Sequence, residues 1–191
     1  VLAFNNLSPE QLEEDQNLAT AVSGLRCAVA DALAQRAQLP LADYLRALHD
    51  HEGTPERSVQ LYSNINRSML PDDSGPVDRS PDAFAEMAQR AMEAGFTTAK
   101  CAPFDEAQAP FKSSGLPREA EAGLERVRAA KAVVGPDRKL LVDCHSRFDL
   151  DSALALEPEL REAGAGWYEE PVNPITHTDD LRKIRDKSEL P

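Results

Sequence analysis

KLLVDCHSRFD (139–149) opens on a short apolar run, Leu140, Leu141 and Val142, that stops at a carboxylate, Asp143. A run of this length, set between Gly135-Pro136 and a polar stretch, reads as a strand of the kind found in parallel sheets. Upstream, Leu116-Pro117 opens a helical pattern that carries Leu124, Val127, Ala130 and Val134 on one face and closes at Gly135-Pro136. Downstream, residues 149–163 again follow the helical period. Pro158 lies inside that helix, where it removes a hydrogen bond and crowds the preceding turn, so a kink or two short pieces are expected.

The same alternation extends both ways. Trp167 to Glu170 reads as a short strand, followed by a helix through Leu181 and Ile184 that Thr178 can cap. Before it, Phe96 to Ala102 reads as a strand and Pro103 to Gly115 as a loop. Ser80-Pro81 starts a helix with Phe84, Ala88 and Ala91 on its apolar face, and Gly95 sits where a C-terminal cap belongs. VQLYSNIN (59–66) is the first strand. The order from residue 59 is β-α-β-α-β-α-β-α, which implies an α/β fold with a parallel sheet and helices outside it. Four such units are half of a (β/α)8 barrel, a fold that takes about 250 residues. Residues 8–36 and 41–48 are helical without strands between them, and 49–53 read as linker. The expected division is therefore a helical segment over 1–52 and a partial barrel, strands one to four, over 53–191.

The composition narrows the function. The 191 residues carry a formal net charge of −12, which opposes a sequence-independent grip on nucleic acid or anionic lipid. The sequence holds no run of about eighteen apolar residues that could span a bilayer, and no basic-then-apolar leader is expected within this stretch. Cys27, Cys101 and Cys144 follow neither a metal-binding nor a disulfide spacing, so buried, reduced thiols in a cytoplasmic protein are expected. His49, His51 and His177 fall in loops without partner spacing and are expected to be solvent-exposed.

In a barrel of this type, functional groups gather at the C-terminal ends of the strands. Strand two ends near Lys100, strand three at Asp143 with His145 two residues on, and strand four at Glu169-Glu170-Pro171. Carboxylates at the same end of neighbouring parallel strands share one space. Their mutual repulsion makes a divalent cation a natural partner, and oxygen-only ligation suits Mg²⁺. Tyr62, Asn64 and Asn66 alternate along the first strand and so share a face. Asn64 and Asn66 either line a substrate pocket or make a turn. Arg147 either grips a substrate carboxylate or pairs with Asp149. Trp167 reads as barrel packing.

GFTTAK (95–100), LLVDCHSRFD (140–149) and WYEEPV (167–172) together resemble strands two to four of the mandelate racemase and muconate-lactonizing branch of the enolase superfamily. VADALAQRAQLPLADYL (29–45) is similar to the helical part of that family's α+β capping domain. The resemblance implies that Asp143 and Glu169 are metal ligands for Mg²⁺, with Glu170 an acid beside them. The third ligand would lie on a fifth strand. Lys100 matches the first lysine of the family's Lys-x-Lys motif, but Ala102 stands at the second, which weighs against a racemase or cycloisomerase. The Asp143-Cys144-His145 placement resembles the acid-sugar dehydratases. There His145 would protonate a departing hydroxyl, although it could also be a histidine of the barrel mouth without that role.

The implied reaction is proton abstraction next to a carboxylate followed by loss of water, with a sugar acid as the small carboxylate substrate and a 2-keto-3-deoxy acid as product. Lys100 would supply positive charge or act as base. The full-length form is expected to be a homo-oligomer. The alternatives are a racemase or epimerase of the same superfamily, and a catalytically inactive half-barrel that needs a partner.

Overall fold

The computed structural model describes residues 7–49, 58–66, 78–107 and 115–191. The chain divides into two compact units, Val1–Val59 and Gln60–Pro191. In the first, α1 (Pro9–Glu13), α2 (Gln16–Arg36) and α3 (Leu41–Leu48) are helices. What reads as one helix from residue 8 to 36 is broken at Glu14–Asp15. Ser8 forms a capping box with Gln11 over α1, and Asp15 starts α2 by accepting hydrogen bonds from the Asn17 and Leu18 amides. Two strong N-caps seven residues apart thus begin two helices rather than one.

The second unit holds β1 (Ser63–Asn64), α4 (Pro81–Glu93), β2 (Thr98–Cys101), α5 (Ala120–Val134), β3 (Lys139–Asp143), α6 (Leu150–Glu162), β4 (Trp167–Glu169) and α7 (Thr178–Lys187). The strands form one parallel sheet in the order β1-β2-β3-β4, the first half of a (β/α)8 barrel. Register fixes which residues share a face. Asn64 lies opposite Lys100, Lys100 opposite Leu141, Leu141 opposite Trp167, and Asp143 opposite Glu169. The alternate set, Ile65, Ala99, Cys101, Leu140, Val142 and Tyr168, is buried with Phe84, Leu124, Val127, Leu156 and Leu160 of the helices. The hydrophobic core is therefore the layer between the sheet and its helices. Trp167 and Tyr62, on the opposite face, remain 42% and 47% exposed in this half of the barrel.

Several elements follow from local chemistry. Ser80 caps α4 by accepting from the Ala83 amide, with Pro81 at the first helical position, and Gly95 takes φ +91°, a conformation costly to any residue with a Cβ. Gly123 of α5 lets the Phe104 ring approach so closely that a Cβ would lie 2.1 Å from it. Other expectations need correction. The first strand is two residues long, because Ile65 and Asn66 turn away in a 3₁₀ turn and 58–62 make no sheet ladder. α6 runs unbroken through Pro158. That proline is exposed, so the bond it cannot donate is lost on a side water can reach. Thr178 is not the cap of α7. His177 holds that position, and the Thr178 hydroxyl donates instead to the Pro174 carbonyl at 2.9 Å. Cys101 and Cys144 are buried free thiols, but Cys27 is exposed. His49 and His177 are exposed, and His51 lies outside the described residues.

The turn after α7 is tied to α6 by one carboxylate. Glu157, 7% exposed, accepts through Oε1 from the amides of Glu189 at 3.0 Å and Leu190 at 3.1 Å and from the Ser188 hydroxyl at 3.3 Å. Leu190 packs on the core, and the Pro191 carbonyl accepts from the Tyr168 amide of β4 at 2.9 Å. The last residues thus lie alongside β4. Removing the acceptor would strand two backbone amides, so Glu157→Ala should cost about 3 kcal/mol in urea unfolding. Glu157→Gln, which keeps an acceptor oxygen, should cost about 1 kcal/mol; equal losses in the two variants would contradict this account.

Candidate active site

The C-terminal ends of β2, β3 and β4 bring three charged side chains to one point. Lys100 Nζ lies 2.9 Å from Asp143 Oδ2 and 2.7 Å from Glu169 Oε1. The register explains this convergence: Asp143 and Glu169 face each other across the ladder, and Lys100, on the same face and one pleat lower on β2, extends up to both. Lys100 and Asp143 are buried, at 9% and 8% exposure. Burial, the largest single influence, lowers the Lys100 pKa, but the hydrogen bonds to Glu169 and Asp143 and their charges outweigh it. The ammonium is held above the ordinary lysine value. The Tyr62 ring lies 5.7 Å from the same ammonium.

His145 stands beside this cluster. Its Nε2 is 3.4 Å from Asp143 Oδ2, its Nδ1 is 2.6 Å from Asp105 Oδ1, and its amide donates to Asp143 Oδ1 at 3.1 Å. The backbone that carries it is unusual. His145, Ser146 and Glu170 have φ of +46°, +59° and +42°, a region that costs an L-residue roughly 1–2 kcal/mol. Hydrogen bonds from the Cys144 amide to the Glu169 carbonyl at 2.9 Å and from Ser146 to Glu170 at 2.8 Å lock the two strand ends together in this form.

The remaining expected residues take other positions. Asn66 donates to the Ala102 carbonyl and accepts from the Ala102 amide, at 3.3 and 2.9 Å, and so extends the β1–β2 pairing. Asn64 Oδ1 accepts from the Asn66 amide at 3.2 Å, which is a turn contact. Arg147 reaches the Ala107 carbonyl at 3.4 Å, and its buried Nε has no partner among the described residues. Asp149 is not its partner but the cap of α6, accepting from Ser152. The Glu170 side chain is exposed. Sequence reading passed over Asp105, Glu106, Arg79 and Arg126. Arg79 pairs with Glu106 and donates to the Ala102 carbonyl at 2.8 Å, and Arg126 Nη1 donates to the Pro103 carbonyl and Glu106 Oε2, each at 2.7 Å. The available signal was that Asp105 lies in the loop directly after β2, at the functional end of the strands.

A model of the enolase C-terminal domain-like family matches residues 83–191. The chain belongs to that family. Within the enolase superfamily it is 27% identical over 167 residues to the D-gluconate dehydratase of Thermoproteus tenax, an alignment covering 87% of this chain and 29% of that enzyme. It is 28% identical over 115 residues to the D-galactarolactone cycloisomerase of Agrobacterium fabrum, covering 60% and 26%. The chain thus spans less than a third of the length of these relatives. An enolase-superfamily member from Salmonella Typhimurium superimposes with a TM-score of 0.59 at 22% identity, over 70% of this chain and 36% of that one, and shares the fold.

Among the described residues no three of His, Cys, Asp and Glu assemble as a metal-binding group, and Asp143 and Glu169 stand as a pair with Lys100 between them. Lys100→Met would leave two facing carboxylates without a cation, and should lower stability by about 3 kcal/mol at pH 7. Because the folded-state pKa of Lys100 is raised, its contribution is complete below 10.5 and is lost as pH rises through the folded value. The gap between wild type and variant, measured by urea unfolding, should be flat from pH 7 to pH 10 and narrow above it.

Proposed function

We propose that this chain supplies half of the active site of a Mg²⁺-dependent sugar-acid dehydratase, with a carbon–oxygen lyase reaction on a small carboxylate substrate. The observation that supports it most directly is the meeting of Asp143, Glu169 and Lys100 beside His145 at the C-terminal rim. The donor set fits the ion. Asp143 and Glu169 offer hard oxygens on one face of a rigid ladder, and the ammonium already seated between them shows that the point favours positive charge. When bound there, Mg²⁺ would hold the substrate carboxylate and stabilise the negative charge that develops as the neighbouring proton leaves.

The chain's own residues then divide the work. Asp143 and Glu169 would hold the cation. Lys100, on the same rim, either adds positive charge that stabilises the developing anion or, with both carboxylates engaged by the cation, serves as the base that takes up the substrate proton. His145 presents Nε2 toward the same space and donates a proton to the departing hydroxyl, so that water leaves with its C–O bonding pair. Dehydration is preferred over racemisation because Ala102 stands where the second strand-two lysine would, and that position carries no base. The relatives' names include both a dehydratase and a cycloisomerase, and this residue is what favours the first. Residues 1–52 are read as the helical part of the capping domain. The complete enzyme is read as a cytoplasmic homo-oligomer whose third metal ligand lies on a further strand.

Two measurements test this reading. Mn²⁺ added to the 191-residue chain should bind weakly by electron paramagnetic resonance, with binding lost in Asp143→Asn and in Glu169→Gln; binding that survives both changes would refute the metal assignment. The chain alone should convert no sugar acid, because one ligand is missing. Grafted in place of the matching segment of the Thermoproteus enzyme, it should restore formation of a 2-keto-3-deoxy acid. His145→Asn in that chimera should lower kcat by about 10²–10⁴.

A further inference from the structure

We propose that Asp105, on the loop after β2, is a positioning residue that fixes the tautomer and direction of the His145 ring. The proposal rests on the dehydratase reading only in what it says the ring is for; the placement itself is independent of it. Asp105 Oδ1 lies 2.6 Å from His145 Nδ1, short enough for a charge-assisted hydrogen bond. A carboxylate can only accept, and of the two that face the ring Asp105 at 2.6 Å is far closer than Asp143 at 3.4 Å, so in the neutral ring the hydrogen sits on Nδ1 and the lone pair on Nε2. That nitrogen is the one that faces Asp143. With a second proton on Nε2 the ring can give it up toward the rim and return to the Nδ1–H form, so no tautomer exchange is needed within the step.

A carboxylate on a loop orients a partner only if the loop is itself held, and this one is held from three sides. Arg79 binds the Ala102 carbonyl and Glu106, and its Nη2 lies 3.8 Å from Asp105 Oδ2. Arg126 binds the Pro103 carbonyl, Glu106 and, through Nε at 2.6 Å, the Arg79 carbonyl. Both guanidiniums lie over the buried Phe84 ring, at 5.2 and 5.6 Å. From below, Phe104, 2% exposed, meets Phe148 edge-on at 5.2 Å and occupies the space that Gly123 leaves open. Asp105 is therefore carried between an anchored aromatic and an anchored acid. The His145 side is equally constrained by its left-handed backbone and its amide bond to Asp143. The loops after β2 and β3 also touch through Phe104–Phe148 and through Arg147 to the Ala107 carbonyl, so this hydrogen bond joins two segments already held against each other.

The test is two-bond ¹H–¹⁵N correlation of the histidine rings in the ¹⁵N-labelled 191-residue chain, at a pH alkaline enough for the ring to be neutral, with His145→Asn identifying the signal. Wild type should show His145 as the Nδ1–H tautomer. In Asp105→Ala the ratio of Nδ1–H to Nε2–H should fall at least about tenfold, as loss of a charge-assisted bond requires. Asp105→Asn, nearly the same shape, should also move the hydrogen to Nε2, because its carboxamide can donate to Nδ1, and Asp105→Glu should restore part of the wild-type ratio. An Nε2–H ring in wild type, or an Nδ1–H ring that persists in both the Ala and Asn variants, would overturn the proposal. A residue that merely stabilised the loop would lower the melting temperature of these variants and leave the tautomer unchanged. Failure of the dehydratase reading would show only in turnover.

Discussion

Three strands end in charge, and the ammonium of Lys100 between Asp143 and Glu169 is what makes that tolerable. Two carboxylates aligned across a parallel ladder cannot both stay ionised at close range without a counter-charge. The sheet forces them into line, since Asp143 and Glu169 are register partners. It also brings the counter-ion, since Lys100 shares their face on the adjoining strand. The site is thus pre-assembled by backbone pairing rather than by loop closure. That is why two buried charged residues persist at the edge of an otherwise apolar fold.

Around that point the structure accepts local cost to hold direction. Three non-glycine residues in the left-handed region sit within reach of one another at the ends of β3 and β4. Strain of this kind survives where neighbouring hydrogen bonds leave no alternative, and the Cys144–Glu169 and Ser146–Glu170 bonds supply them. Arg79 and Arg126 do the same for the loop after β2 by stacking on Phe84 and donating to the Ala102 and Pro103 carbonyls.

The sequence made the repeating strand–helix order and its functional rim readable, because period, helix punctuation and strand-end carboxylates are all local signals. Asp143, Glu169, Lys100 and His145 are found together for that reason. What could not be read was anything that depends on a partner distant in the chain. The bonds of Asn66 to Ala102 are of this kind, and Arg147 looks like a partner of Asp149 until Asp149 is seen capping α6. Asp105 is an unremarked loop acid until the fold brings His145 to it. The single helix expected over 8–36 failed for a different reason: Asp15 is a local signal, but apolar periodicity continued across it and masked the cap.

Trp167 is the only tryptophan in the chain, and it stands half exposed on β4 two residues before Glu169, on the same face. Its indole emission therefore depends on the polarity of that face and on little else in the molecule. Whatever comes to cover the inner side of the sheet, whether further strands or a second polypeptide, must dehydrate this ring. The fold thus carries a built-in optical gauge of its own closure, readable without label or substitution.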